Sequence, residues 1–205
     1  MKLYHFPYSP NARKAVMTAR HLSIPVELVH VDLRKGEHRY PGYMTLHPGA
    51  QVPVLVDDDF VLTESHAIMA YLADLTAGQT LYPAGLRERA HVNQWLFWAA
   101  NHWGPAIAGL TFENLRKKMF GLGEPDPAQV TRHEQSFRDL ARQLDAALAT
   151  RDWVTGQLSL ADLAIAAPLM FLKPAKLPFE GFASAERWFG HVQKLEAWAS
   201  TEPTW

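Results

Sequence analysis

The chain has 205 residues, of which 48% are hydrophobic and 20% charged, which is ordinary globular composition for one large or two small domains. A formal net charge of −1 gives no electrostatic reason to expect nucleic acid or an anionic membrane as a partner. The sequence has no cysteine, which excludes disulfide bonds, thiolate metal sites and a protein thiol as nucleophile.

The first third of the chain predicts alternating strands and helices. Residues 2–5 and 26–31 are strand candidates, and apolar residues at helical spacing lie between them. After a polar loop, residues 52–56 and 60–62 predict a hairpin, and an apolar stripe over residues 68–75 predicts the next helix. The predicted order is βαβ, loop, ββα.

The rest of the chain is predicted to be almost entirely helical. Residues 78–85 carry turn signals without periodicity, so we expect a linker there, between a first domain of residues 1–77 and a helical domain of residues 86–205. A long helix is expected from Leu86, bent or interrupted at Gly104 and Pro105.

Two further helix starts carry capping signals. Residues 126–129 predict an N-cap followed by a proline at the first helical position, and residues 159–162 predict a capping box. Residues 153–154 are the one strand candidate in this half, and a last helix is expected over about residues 185–198.

The segment from Thr63 to Ile68 predicts a binding site at a helix start. A helix N-terminus carries unpaired N–H groups and partial positive charge that favour a carboxylate, while Glu64 suits an ammonium group. The pair therefore suits the zwitterionic end of an amino acid. Taken alone, the segment equally fits simple capping by Thr63 or Ser65.

Four short motifs follow one another along the chain: residues 9–16 (SPNARKAV), 51–55 (QVPVL), 63–68 (TESHAI) and 159–162 (SLAD). With these motifs in this order, the chain resembles the soluble glutathione S-transferase family, particularly bacterial serine-type members similar to the theta class. The resemblance implies a thioredoxin-like N-terminal domain with a mixed sheet, an all-helical C-terminal domain and a homodimer. It also implies glutathione as co-substrate.

The resemblance further implies that a hydroxyl at Ser9 donates to the glutathione sulfur. Such a donor favours thiolate over thiol without acting as a base. Asn11 is the competing donor, because its amide N–H can serve equally well. Ser9 followed by proline is also an expected helix N-cap, so the two roles of Ser9 remain open at this point.

The same resemblance implies the remaining contacts to glutathione. Pro53 matches a cis-proline that presents the backbone of Val52 to the cysteinyl residue, and Gln51 lies beside it. Glu64 and Ser65 match the site for the γ-glutamyl end. His38 matches a position that binds the glycine carboxylate, although a lone loop histidine is often only solvated.

A second, apolar and electrophilic substrate is expected against the helical domain. Its candidate wall is Trp98, His102, Trp103 and Phe112, although aromatic residues at helical spacing are more often core, and we expect at least two of the four to be so.

The sequence thus predicts a glutathione transferase that attacks an electrophile or reduces a peroxide. The alternatives are a non-catalytic binding or regulatory protein of the same fold, and a glutathione-dependent isomerase or dehalogenase.

Localisation and metal content are also predicted. The first residues lack the long apolar core of a signal peptide, and no segment is apolar for the ~18 residues of a membrane span, so we expect a cytoplasmic protein that does not bind a membrane. None of the ten histidines falls into a tight ligand spacing, so we expect no metal.

Overall fold

The structure, a computed structural model, describes residues 1–204. It divides the chain into two compact units. The first runs from Met1 to Pro83 and includes the C-terminal segment that starts at Leu195, and the second runs from Ala84 to Lys194. The boundary at Pro83 falls within the predicted linker. The C-terminal segment, by contrast, was predicted to belong to the helical domain.

The regular elements alternate in the first unit and are all helical in the second. The strands are β1 (Lys2–His5), β2 (Glu27–His30), β3 (Val54–Asp57) and β4 (Phe60–Leu62). The α-helices of the described residues are α1 (Pro10–His21), α2 (Pro41–Met44), α3 (Ser65–Asp74), α4 (Leu86–Trp98), α5 (Gly104–Thr111), α6 (Lys117–Phe120), α7 (Pro127–Ala147), α8 (Leu160–Ala166), α9 (Ala183–Gln193) and α10 (Glu196–Ala199). None of these helices combines the length and apolar character that crossing a membrane requires.

The four strands form one mixed sheet in the order β2-β1-β3-β4. β1 pairs in parallel with β2, whereas β3 pairs antiparallel with both β1 and β4. Leu3 and Leu55 face each other across the central pair and are fully buried, together with Ile68 and Leu72 of α3. The predicted βαβ, loop, ββα order is confirmed, with 3₁₀ turns and α2 inside the predicted loop.

The C-terminal segment is held against α1 by Arg13. This buried guanidinium donates to the Trp198 carbonyl at 3.0 Å and to the Thr201 hydroxyl at 3.2 Å, and it lies 3.7 Å from the centre of the Trp198 ring. The predicted last helix is broken at Leu195, whose extended backbone ends the helical run. The packing of α10 on α1, which no local pattern encodes, therefore decides to which unit this segment belongs.

The second unit is a helical bundle with two π-helical segments. One of them, Ala99–Trp103, immediately precedes Gly104 and Pro105, so the predicted interruption takes the form of a π-helical turn. The predicted cap of α7 is confirmed, since the Asp126 side chain accepts from two backbone N–H groups. The strand candidate at residues 153–154 does not form a strand, because these residues lie in a bend and a turn.

Asp162 organises the buried centre of this bundle. One carboxylate oxygen accepts from the backbone N–H of Val154 and from the Trp188 indole, and the other accepts from the backbone and hydroxyl of Ser159. The predicted capping box at the start of α8 is therefore confirmed. Burial raises the pKa of the Asp162 carboxyl to about 6, and the hydrogen bonds oppose this rise.

We predict that Asp162→Asn lowers the free energy of unfolding by about 1–3 kcal/mol. The amide nitrogen would face the backbone N–H of Ser159 and leave a buried donor without a partner. Chemical denaturation of the whole chain measures the change. The matched control is Asp152→Asn at an exposed carboxylate, which should change stability by less than about 0.5 kcal/mol. Equal effects of the two substitutions would contradict the role given to Asp162.

Candidate active site

The sheet topology brings the predicted glutathione residues of the first unit to one edge. Because β1 and β3 are antiparallel and pair at Tyr4 and Val54, the end of β1 lies beside the start of β3. The end of β4 lies at this edge as well, since Leu62 pairs with Leu55. The segments that carry Ser9, residues 51–53 and residues 64–65 therefore all leave the sheet on the same side.

Ser9 is the N-cap of α1. Its backbone is extended and its hydroxyl oxygen accepts from the Ala12 N–H at 3.2 Å. A serine hydroxyl has two lone pairs and one proton, so accepting this bond leaves its proton free to donate. The capping role and the thiolate-donor role are thus compatible.

Asn11 lies two residues further along the first turn of α1 and is exposed. Its side-chain oxygen accepts from the Lys14 ammonium at 3.1 Å. The orientation of the Asn11 amide is therefore restricted, because its oxygen already accepts a hydrogen bond.

Lys14 is buried, with only 4% of its surface exposed. Burial lowers the pKa of this ammonium from 10.5 to about 8, and the nearby carboxylate of Glu64 partly offsets the effect. Burial also lowers the pKa of the His66 imidazole to about 3, with a further contribution from the Lys14 charge, so His66 is neutral at pH 7. The ammonium thus lies between the first turn of α1 and the start of α3.

The start of α3 has an unusual backbone. Glu64 occupies the N-cap position with φ of 66° and ψ of 111°, a conformation that non-glycine residues rarely adopt and that costs on the order of 1–3 kcal/mol. Its side chain makes no capping hydrogen bond. Neither Thr63 nor Ser65 is the N-cap, so the simple capping interpretation does not hold. Ser65 is buried at the first helical position.

The peptide bond between Val52 and Pro53 is cis, as the resemblance implies. The register of β1 and β3 ends at Val54, so Val52 lies beyond the last pair of the ladder. Gln51 is exposed, and its backbone carbonyl accepts from the Tyr43 hydroxyl. Burial raises the pKa of this phenol above its ordinary value, so it remains protonated and holds the segment in place.

His38 lies in a short 3₁₀ turn after β2 and is half-buried. Its Nδ1 is buried and has no hydrogen-bond partner within residues 1–204. Buried polar atoms without a partner are uncommon, so the binding role of His38 stays a prediction.

The four predicted pocket residues differ in their surroundings within the helical unit. Trp103 is fully buried, stacks on Trp98 with 5.6 Å between ring centres, and donates its indole N–H to the Ile165 carbonyl. It is therefore a core residue and does not line a surface, which corrects the predicted role. Trp98 is half-buried, whereas His102 and Phe112 are exposed.

Among the described residues, no group of three or more His, Cys, Asp or Glu side chains is arranged to hold a metal ion.

Comparisons with known proteins identify the family. Residues 1–74 match the model of the glutathione S-transferase N-terminal domain. Glutathione S-transferase 3 of Zea mays is 35% identical over 188 residues, which cover 90% of this chain and 83% of that protein. The chain belongs to the glutathione S-transferase family. Its prediction as a glutathione transferase is confirmed at this level.

Solved structures extend the similarity over the whole transferase fold. Glutathione transferase F7 from Populus trichocarpa superimposes with a TM-score of 0.90 at 27% identity, covering 98% of this chain and 96% of that one. A glutathione S-transferase-I bound with the ligand lactoylglutathione has a TM-score of 0.88 at 25% identity, covering 98% and 97%. The predicted fold class is confirmed, whereas the relatives from Zea mays and Populus trichocarpa do not support the predicted bacterial, theta-like group.

Lys14 is the residue of this region that sequence reasoning missed. The signal was present as a stripe of Asn11, Lys14 and Thr18 at helical spacing, separate from the polar residues Arg20 and His21 in the last turn of the helix. Thr18 is fully buried and donates to the Lys14 carbonyl. A polar stripe on a helix is more often solvated, so only the packing of α1 reveals that it is buried.

We predict that Lys14→Met stabilises the transferase at neutral pH. Below pH 8 the lysine is charged in the folded and in the unfolded chain. Burial of this charge therefore lowers the free energy of unfolding by on the order of 3 kcal/mol in that pH range. Between pH 8 and 10.5 the folded state has lost this proton and the unfolded state still holds it. The cost therefore disappears as pH rises through this window.

The measurement is chemical denaturation of wild type and Lys14→Met at pH 7 and at several values from 8 to 10.5. The stability advantage of the variant should narrow across that window. An advantage that does not change with pH would contradict the burial of a charged Lys14.

Proposed function

We propose that this transferase holds glutathione along the sheet edge and uses Ser9 to stabilise its thiolate for attack on an apolar electrophile or reduction of a peroxide. One observation carries the proposal. The Ser9 oxygen accepts the capping bond from Ala12 and so keeps its proton available, at the same edge as the cis bond before Pro53 and the start of α3.

The free energy of one hydrogen bond from the Ser9 hydroxyl is large enough to stabilise the thiolate. A hydrogen bond to a charged group contributes about 1.5–3 kcal/mol, and one pKa unit corresponds to about 1.4 kcal/mol. The pKa of a thiol near 8.5 would fall by roughly one to two units, which raises the thiolate fraction at neutral pH from a few per cent to tens of per cent. The α1 N-terminus adds about 0.3–1 kcal/mol.

The remaining residues of the edge are assigned to the tripeptide backbone. Ser65 and the N-terminal N–H groups of α3 would bind the γ-glutamyl carboxylate, and Glu64 would bind the ammonium group. The free backbone groups of Val52 would pair with the cysteinyl residue as an added strand. His38 and Gln51 would contact the glycyl end. Binding of lactoylglutathione by the similar glutathione S-transferase-I supports a glutathione-type ligand.

The finer features are part of the same proposal. We assign the chain to the serine-type transferases on Ser9, and we expect a homodimer. An apolar second substrate would be recognised by exposed or half-exposed aromatic groups of the helical unit, for which Trp98, His102 and Phe112 remain candidates. The catalytic power would come from thiolate stabilisation and proximity.

We predict that Ser9→Ala raises the pKa of bound glutathione thiol by about one to two units and lowers turnover at pH 7 roughly tenfold. The affinity for glutathione should change little, because the sulfur contact contributes mainly to the thiolate form. Ultraviolet absorbance of the thiolate during pH titration and conjugation of a generic aryl halide are the measurements.

Two variants separate this effect from loss of the helix cap. Ser9→Gly preserves capping to within a few tenths of a kcal/mol but removes the hydroxyl, so it should match Ser9→Ala in thiol pKa. Ser9→Thr keeps both functions and should resemble wild type. If the pKa of the bound thiol in Ser9→Gly equals that in wild type, the donor role of Ser9 is contradicted. A wild type that glutathione stabilises against heat without any turnover would instead be a binding protein.

We predict that Glu64→Gln weakens glutathione binding about 5- to 30-fold, because a charge-assisted contact to the ligand ammonium is worth ~1–2 kcal/mol. The matched control is Asp59→Asn, an equal change of charge in the exposed β3–β4 turn. Glutathione lacking its α-amino group should bind wild type and Glu64→Gln equally weakly. If Glu64→Gln still discriminates between the two ligands as wild type does, another group holds the ammonium.

A further inference from the structure

A buried ammonium contacts the first turn of α1 and has no obvious structural purpose. Lys14 is 4% exposed, and its Nζ donates to Asn11 Oδ1 at 3.1 Å. Glu64, the nearby carboxylate that acts on its charge, is itself exposed. Burying an ammonium without a close, buried counterion costs stability. A residue that costs stability at a candidate active site calls for a functional explanation.

The chemistry of the contact fixes which way the Asn11 amide points. An ammonium has only donors, so the Asn11 side chain must turn its oxygen towards Lys14. The amide nitrogen then points away from the ammonium, and its two N–H donors are left at the exposed end of the side chain. Without the lysine, the amide could rotate and present its oxygen instead, which would repel an anion.

We propose that Lys14 is a positioning residue that locks the Asn11 amide with its N–H donors directed at the glutathione sulfur, as a second thiolate donor beside Ser9. This inference rests on the proposed function, because it requires glutathione at the sheet edge. Lys14 itself does not touch the ligand, since it is buried. It acts by orienting and polarising a neutral side chain that does.

The arrangement has a physical advantage over a flexible amide. A donor that is already oriented needs no reorganisation when the thiolate forms, which is the condition for effective electrostatic stabilisation. An amide whose oxygen accepts from a cation is also polarised, so its N–H groups become stronger donors. The ammonium keeps its proton below pH about 8, so the lock is present at neutral pH. Neutral His66 adds no competing positive charge there.

Two other roles of Lys14 would affect the thiol differently. Its charge could stabilise the thiolate directly through space, in which case Asn11 would be irrelevant to its effect. It could also serve only to pack α1 against α3, in which case its removal would change stability and leave the pKa of the bound thiol unchanged. A double-mutant cycle between the two residues distinguishes all three roles.

The experiment measures the pKa of bound glutathione thiol in wild type, Lys14→Met, Asn11→Ala and the double variant, using thiolate absorbance. We expect Lys14→Met and Asn11→Ala each to raise this pKa by about half a unit or more, and Lys14→Met to have no further effect in the Asn11→Ala background. Turnover should fall about threefold or more in Lys14→Met with little change in KM for glutathione. Lys14→Arg, which keeps the donor, should restore the thiol pKa towards that of wild type.

The outcomes separate this inference from the proposed function. If Lys14→Met raises the pKa of the bound thiol equally in the wild-type and Asn11→Ala backgrounds, the lysine charge acts directly on the thiolate and the positioning role is overturned. A bound-thiol pKa in Lys14→Met or in Asn11→Ala that equals the wild-type value would overturn it as well, and Ser9 would remain the donor. Absence of any glutathione binding by wild type would instead remove the proposed function itself.

Discussion

The antiparallel pairing of β3 with β1 is the constraint on which the candidate site depends. Because β3 runs against β1, the segment before β3 and the segment after β1 meet at one edge of the sheet. The antiparallel hairpin then returns β4 to the same edge, where α3 begins. A parallel β3 would have placed the cis-proline segment at the opposite edge, far from Ser9.

Two helix starts at this edge are built differently. α1 has an ordinary cap, in which Ser9 accepts from the Ala12 N–H. α3 starts at Glu64 in a backbone conformation that costs free energy, and no side chain caps it. In the proposed function, the N–H groups at the start of α3 bind the carboxylate of the ligand. The Glu64 backbone conformation and the buried Lys14 ammonium both lower the stability of the fold, and both lie near the start of α3. Such clustering of destabilising features is typical of functional sites.

Arg13 and Lys14, successive residues of α1, face two different segments of the first unit. Arg13 binds the C-terminal segment through the Trp198 carbonyl and ring, whereas Lys14 lies close to the start of α3. Burial lowers the pKa of the Arg13 guanidinium to about 10, so it remains charged at neutral pH. Arg13 thereby holds α1, with Asn11 in its first turn, against the C-terminal segment, and a rigid support is what an oriented donor requires.

Local pattern was sufficient for the elements and for most of the motifs. Alternation and helical spacing predicted the βαβ, loop, ββα order, and short-range capping chemistry predicted the starts of α7 and α8, because these features depend on residues close in sequence. The family also followed from local motifs in order. The cis bond before Pro53 came from the resemblance alone, since an isolated proline does not encode it.

Tertiary packing decided what remained. Trp98 and Trp103 are the same residue type and lie five residues apart. Trp103 is nevertheless a core residue and Trp98 is half-exposed, because burial depends on which helices pack against each side chain. The break before α10 and the burial of Lys14 likewise arise from the packing of segments that are distant in sequence. The orientation of the Asn11 amide follows from its contact with this buried lysine within α1. The sequence by itself thus determined the elements, the family and the residue types at the edge. The three-dimensional fold alone decided which of those side chains are buried, paired or free to meet a ligand, because burial and pairing are properties of neighbours that a linear pattern does not contain.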